Sequence, residues 1–300
     1  MLASSTRSAP LLLAGLFAFV FALGPTTAQA QIAPDRPGLG DGASVVEAGT
    51  FQVELGYQFS RAQLEETASI GGRPIEAESS INLHQLGQLL LRFGAADVLE
   101  LRAGIGSYGW QSTSTEISSP ISSPEFPISS QEIEGNEEGY LGTTLGAKVR
   151  LLQTSTVTLS GLTNTTIPTA TGDFDTPEDR ARQEVKLALN GALGSGLSLT
   201  VNGGASFFWA AGEQDDRAAE WLFIPTLNIT VNEKVSTYVG YGGFYADDSQ
   251  EVDAANTNFV EAGLTYLPTP DLQLDVNGGY RVDRNVDSEF FFGFGIAQRF

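Results

Sequence analysis

Through most of residues 50–300, polar and apolar side chains take turns, and this period of two constrains the fold more than any other feature of the chain. In residues 271–282, Asp271, Gln273, Asp275, Asn277 and Arg281 alternate with Leu272, Leu274, Val276, Tyr280 and Val282. Residues 197–209 set Leu197, Leu199, Val201, Ala205, Phe207 and Trp209 against Ser198, Thr200, Asn202 and Ser206. Helical spacing fits neither stretch. Twelve such segments are predicted: 50–60, 82–94, 98–110, 139–151, 156–167, 183–193, 197–209, 220–231, 235–246, 257–267, 271–282 and 289–300. The pattern is poorest in 82–94, where Leu86 and Leu90 fall on the otherwise polar face. Globular strands usually run about 5–6 residues, whereas tilted strands that cross a bilayer need about 9–11. These segments have the longer length.

The connections alternate as well. Short ones at 94–97, 152–155, 194–196, 232–234 and 268–270 take turns with long ones at 61–81, 111–138, 168–182, 210–219, 247–256 and 283–288. An antiparallel up-and-down barrel has tight turns at one end and long loops at the other. Of the 36 acidic residues, 25 lie in the long connections and the strand ends that flank them, so one end of the molecule carries most of the net charge of −20. The apolar face needs a partner, and lipid can supply it if the polar face lines the interior. Phe51, Tyr57, Phe59, Phe93, Trp209, Trp221, Tyr245, Tyr266 and Phe300 near segment ends suit interfacial girdles. The expected fold is therefore all-β: a transmembrane antiparallel up-and-down β-barrel of about 12 strands, spanning residues 50–300.

Ahead of it, Leu11 to Leu23 is nearly all apolar and is followed by Ala28-Gln29-Ala30, the pattern of a cleaved signal peptide over residues 1–30. Residues 31–49 are Gly/Pro-rich and read as a periplasmic tail or a partial plug. A secreted barrel of this kind belongs in the bacterial outer membrane, with the short turns facing the periplasm. Its expected partners are outer-membrane lipid, the barrel-assembly machinery and a small-molecule solute.

The final strand, with Phe290, Phe292, Phe294, Ile296 and Phe300 alternating, resembles the closing strand of bacterial outer-membrane proteins, where such a pattern is the assembly signal; Gln298 departs from it. Phe292, Phe294, Ile296 and Phe300 are the residues expected to carry that signal. Ala33-Pro34-Asp35-Arg36-Pro37, with Val46, Gly49, Gln52 and Glu54 downstream, resembles the opening of the outer-membrane transporter family named for the phenol-degradation meta-cleavage pathway (phenol MetA degradation family). That resemblance implies a barrel passing small, often aromatic or apolar, compounds. It carries over no binding residue.

Chemistry is sparsely signposted. Cysteine is absent and His84 is the single histidine, which excludes thiol catalysis, Cys-ligated metals and any site needing two imidazoles. The acidic balance argues against nucleic acid. Gly104-Ile105-Gly106-Ser107-Tyr108-Gly109 matches a dinucleotide fingerprint but leads into a polar loop, so these read as strand glycines. His84 reads as a lumen or rim residue, which disfavours a barrel hydrolase. Residues 173–179 and the pairs Asp215-Asp216 and Asp247-Asp248 could hold divalent cations weakly, or simply reflect a high-salt habitat. No cofactor, catalytic residue or resident metal is expected.

The most informative constellation lies on the polar faces. Arg92, Arg102, Lys148, Arg150 and Arg299 fall near the short-turn end, with Glu54, Glu100 and Asp275 at a comparable depth. Charges in a narrow lumen must pair or stay wet. They form either a constriction that selects solutes or a paired ladder that braces and closes the interior. The functions compatible with this sequence are passive solute passage, or a structural or adhesive barrel with a filled lumen and acidic loops as its working surface.

Overall fold

The computed structural model describes residues 32–36, 38–70, 73–118, 130–174, 181–209, 217–246, 256–283 and 288–300. The proposed signal peptide lies outside them, as do most of the carboxylates considered for cation binding at 173–179, 215–216 and 247–248. The chain forms twelve antiparallel barrel strands: β1 (Phe51–Ile70), β2 (Arg73–Leu86 and Leu89–Ala96), β3 (Leu99–Ile105 and Tyr108–Ser118), β4 (Ser130–Tyr140 and Thr143–Gln153), β5 (Val157–Ile167), β6 (Ala181–Gly194), β7 (Leu197–Trp209), β8 (Arg217–Thr230), β9 (Val235–Ala246), β10 (Thr257–Thr269), β11 (Leu272–Arg281) and β12 (Ser288–Arg299). Each pairs with its neighbour in sequence, and β1 closes the barrel on β12 from Gln52↔Arg299 to Gln63↔Ser288.

The interior is polar and the exterior apolar. Gln52, Glu54, Arg92, Glu100, Lys148, Ser160, Asn202 and Ser206 are almost wholly buried, whereas Leu55, Leu101, Val185, Val239, Val276, Phe292 and Phe294 are exposed. A water-soluble sandwich has the opposite arrangement. Only a hydrocarbon solvent stabilises this surface, and a closed barrel leaves no unpaired strand edge in it.

Three adjacent strands each carry an irregularity at one level. Gly87-Gln88 in β2 faces Gly106-Ser107 in β3, which faces Leu141-Gly142 in β4. Each adds one residue to the alternation, as a β-bulge does, so the even-numbered side chains above it point outward and the odd-numbered ones below it do. Gly87 and Gly142 adopt left-handed φ values of 79° and 71° that favour glycine. The bulge in β2 explains the broken pattern in 82–94: Leu86 is an outward residue whose parity has been shifted. It also moves His84. Rather than facing the lumen, His84 stacks on Trp110 with ring centroids 4.8 Å apart, and its Nδ1 is 2.7 Å from the Tyr57 hydroxyl. Both partners belong to an outward aromatic belt that continues through Phe59 to Phe290 and through Tyr57 to Phe294. The glycine-rich match at 104–109 is the bulge of β3, with strand on both sides.

Above the belt, β1 to β4 continue as a four-stranded sheet. Residues 61–70, 73–81 and much of 111–138, in stretches expected as loops, are thus strand. Alternation vanishes there because water wets both faces, but backbone pairing persists. On the outward face, Glu65↔Glu78↔Glu116↔Glu132 stand directly opposite one another across the four strands. Like charges so placed are destabilising, by about 0.2–1 kcal/mol per pair. Replacing Glu78, which has a carboxylate on either side, by Gln is expected to slow amide exchange in β1 to β3 at low ionic strength. That gain should shrink toward zero near 1 M salt, where screening reaches about 3 Å. Equal protection of the two proteins at low salt would show that the row carries no net repulsion.

Candidate functional site

The barrel interior is occupied by the chain's own N-terminal segment. Residue 32 enters at the short-turn end, where the Ile32 N–H donates to the Pro270 carbonyl (3.0 Å), and the chain climbs into the lumen and returns to start β1. Of the two placements left open for residues 31–49, the described residues therefore take the plug.

Its anchors are the charges that the strand pattern placed in the lumen. Arg92 pairs with Glu54 and Glu100 at 2.8 Å each, and its Nη1 donates to the Ala33 carbonyl at 2.9 Å. Lys148 donates to both oxygens of Asp35 at 2.8 Å and to the Gly42 carbonyl at 2.9 Å. Arg102 Nη2 lies 2.9 Å from Asp35 and 2.9 Å from Asp41. Lys186 on β6 also pairs with Asp41. Burial would raise the Asp41 carboxyl, but Lys186, Arg102 and Lys148 together outweigh it and hold the group well below the usual carboxylate range.

The wall also binds the segment's backbone. Glu54 accepts from the Asp35 and Arg36 N–H groups, Glu100 from Val46, Glu261 from Leu39 and Asn202 from Asp41. Asn202 and Gln273 donate back to the Asp41 and Arg36 carbonyls, and Ser160 to that of Ala43. An irregular chain inside a barrel must have its polar groups satisfied by protein, and these wall residues satisfy many of them. Ala43 adds an apolar contact with Leu162 and Ala188.

Wall glycines make the approach possible. A Cβ on Gly94 would lie 2.0 Å from the Glu47 carbonyl oxygen, and one on Gly56 would lie 2.1 Å from Arg36 Cζ. Ala48 bridges Gly94, and the Gly49 N–H donates to the Gly94 carbonyl (2.8 Å). Gly94→Val is therefore expected to push the segment off the wall while leaving the barrel closed, since the obstructed atoms belong to backbone that cannot swing aside. Limited proteolysis should then cut between residues 32 and 50 in the variant alone; equal resistance would place the segment's stability elsewhere.

Of the eight polar-face residues singled out in the sequence, Glu54, Arg92, Glu100, Arg102 and Lys148 come together in this cluster. Asp275 is buried nearby on β11 but bonds to none of them. Arg150 is half-buried, and no ion pair joins it to the cluster among the described residues. Arg299 lies apart, paired with Asp271 at 2.6 Å. The band is not a ring of free cations, because Glu54 and Glu100 on the wall and Asp35 and Asp41 on the segment pair with Arg92, Arg102 and Lys148. Asp35, Asp41, Lys186, Asn202, Glu261 and Gln273 were not singled out. Lys186 could have been found as a charge on the polar face of its strand. Asp35 and Asp41 lie in a stretch without periodicity, where no pattern shows that they face a wall. Of the assembly-signal residues, Phe292, Phe294 and Ile296 are outward and exposed on β12, and the Phe300 N–H donates to the Phe51 carbonyl at 2.8 Å where the barrel closes.

A closed barrel of twelve strands with an apolar belt and a polar, segment-filled interior defines a bacterial outer-membrane β-barrel protein. The family described as "Putative MetA-pathway of phenol degradation" matches residues 34–300, and the chain belongs to that family. The match begins within the inserted segment. Among solved structures, the fold is similar to the COG4313 outer membrane channel from Pseudomonas putida F1, with 17% identity, a TM-score of 0.55, and coverage of 88% of this chain and 100% of that one. It is also similar to the transport unit of the autotransporter AIDA-I from Escherichia coli, with 10% identity, a TM-score of 0.52, and coverage of 83% and 90%. No functionally curated protein matches the chain.

Proposed function

We propose that this barrel is a passive channel of low ionic conductance that passes small, neutral, partly apolar solutes. The observation that carries the reading is the filled but incompletely packed lumen. The inserted segment and its ion pairs close the direct path for hydrated ions, while a pocket of about 370 Å³ remains between residues 35, 36 and 38–41 and the bulges of β2 to β4. That volume is in the range of small-molecule sites, about 300–1,000 Å³. Membership of the family and the likeness to a channel support the same reading. A hydrated cation would have to shed water beside charges that are already paired, whereas a neutral solute would not.

A second reading, a structural or adhesive barrel, is favoured by the same filled lumen together with the tall acidic sheet above it. Planar-bilayer recording combined with solute efflux from proteoliposomes separates the two. A channel of the proposed kind gives small ionic currents yet releases neutral monoaromatic compounds faster than protein-free vesicles do. Efflux no faster than that of empty vesicles would leave the structural reading.

A further inference from the structure

Barrel closure removes strand edges only within the belt. Above it, the four-stranded sheet ends on the outer part of β4 (Ser130–Tyr140), which pairs with β3 on one side only among the described residues. Backbone groups on a strand point alternately to its two sides, and those of Tyr140 and Glu138 point away from β3. There the chain's own connection is laid against them. The Thr171 N–H donates to the Tyr140 carbonyl (3.0 Å), the Tyr140 N–H to Thr171 Oγ1 (3.2 Å) and the Glu138 N–H to Asp173 Oδ2 (2.9 Å). The fit is close, since a Cβ on Gly139 would lie 1.8 Å from the Thr171 carbonyl oxygen. Further up, the backbone groups of Glu132, Glu134 and Asn136 point the same way but have no partner among the described residues. Residues 131–138 are all exposed, and a Cβ on Gly135 would meet nothing within 4 Å.

A free edge is a template for another strand, and its charge decides which. Residues 131–138 carry Glu132, Glu134, Glu137 and Glu138 and no basic residue, and Glu116 on β3 stands beside Glu132. Like charges opposite one another across a strand pair are destabilising and opposite charges stabilising, so this edge rejects acidic strands. A second copy fits poorly on that ground. The same edge of another β4 is equally acidic, and the sheet's other open edge, on β1 beyond its last pairing with β12 at Gln63↔Ser288, carries Glu65 and Glu66. The chain's neighbouring stretches are no better suited in sequence. Residues 119–129 contain Pro120, Pro124 and Pro127, which have no N–H to donate, and residues 175–180 contain Asp175, Glu178 and Asp179.

We propose that the outer edge of β4 is a strand-addition site for a basic, extended peptide segment of another molecule, its backbone pairing with Glu132, Glu134 and Asn136 and its Lys or Arg side chains facing Glu132 and Glu134. The site lies outside the lumen and is independent of solute passage.

Fluorescence anisotropy with the full mature barrel in zwitterionic lipid nanodiscs tests it with three labelled peptides: Thr-Lys-Val-Lys-Val-Lys-Thr, its counterpart with glutamate in place of lysine, and the lysine peptide N-methylated throughout. The N-methylated form keeps the charge and loses the backbone donors. The lysine peptide should bind at least about tenfold more tightly than either of the others, because only it offers both the hydrogen bonds and the opposite charge. At saturation, amide exchange at Glu132, Glu134 and Asn136 should slow, while that at Ile133, Gly135 and Glu137, already paired with β3, should not change. Glu132→Gln combined with Glu134→Gln should weaken the lysine peptide severalfold. If that variant fails to give a heat-modifiable barrel, Asn136→Pro, which removes one edge-facing donor at a position an edge strand tolerates, should do so instead. Equal binding of the lysine peptide and its N-methylated form would mean attraction without strand addition and overturns the proposal. Unchanged exchange at Glu132, Glu134 and Asn136 under saturating peptide, or a glutamate peptide that binds as well as the lysine one, overturns it too.

Discussion

Neutralising both anchors of the inserted segment, with Asp35→Asn and Asp41→Asn together, is expected to open the barrel to ions. The two carboxylates are the segment's contribution to a cluster in which Lys148, Arg102 and Lys186 have 7% exposure or less. Breaking a buried ion pair by removing one partner costs about 3–5 kcal/mol, because the other charge stays behind uncompensated. Here the lost partners are on the segment and the stranded charges are on the wall. The penalty therefore falls on the inserted state and not on barrel closure, which rests on β1 to β12 pairing. Expulsion of the segment leaves a wall with the cations Arg102, Lys148 and Lys186 newly exposed to water. The double variant should show single-channel currents severalfold above the wild type and a shift toward anion selectivity, read by reversal potential in a salt gradient. A current and selectivity matching the wild type would show that the segment is held by its backbone hydrogen bonds and not by its charges.

The same cluster makes a statement about pH. The Asp41 carboxyl is held below its ordinary value, so the stabilisation it contributes is fully present above the unfolded carboxylate pKa of about 3.9 and is lost only as pH falls through the depressed folded value. The charged anchor therefore persists through mild acid. The conductance difference between wild type and Asp41→Asn should therefore be the same at pH 5 as at pH 7, and a difference that disappeared at pH 5 would show Asp41 gaining its proton in this interval.

How much of this was legible in the sequence follows from where water lies. In the membrane belt, lipid on one side and a polar interior on the other force side chains to alternate, and strands such as β7 and β11 could be read to within a residue or so. Above the belt that contrast is gone. The tall sheet around Glu65 and Glu78 looked like loop, although its backbone pairs as well as any strand. A one-residue bulge has the opposite effect: it keeps the strand but reverses the parity, which is why the alternation puts His84 on the polar face and makes Leu86 look misplaced. The lumen charges Arg92, Arg102 and Lys148 could be located from their faces alone. Their partners could not, because Asp35 and Asp41 lie in an aperiodic stretch and are brought to the wall only by the three-dimensional path of the segment. Charges crowded on the inner faces of neighbouring strands signal that something must neutralise them. They do not say whether it is water, a solute or the chain itself.

The orientation of the whole wall can be tested at one pair of adjacent residues on β11. Val276 is 46% exposed on the outer face and Asp275 is 4% exposed on the inner one. Around them, Val276 faces Leu264 and Phe294 across the two neighbouring strands, all three outward and apolar, while Asp275 faces Thr265 and Gly295. Val276→Arg puts a guanidinium into hydrocarbon and is expected to lower the unfolding free energy by about 2–4 kcal/mol if the residue sits near the bilayer midplane, and by less nearer an interface. Asp275→Asn removes a charge from the inside and keeps a side chain of the same shape; because neither Asp275 oxygen has a hydrogen-bond partner to lose and a buried unpaired carboxylate is itself costly, it should leave the barrel at least as stable as the wild type. Urea titration of the barrel folded into vesicles, followed by tryptophan fluorescence, reads both. The informative result is the difference between the two positions: the penalty belongs to the residue that faces lipid, and if Asp275→Asn proved the costlier change, the inner and outer faces of β11 would have to be exchanged.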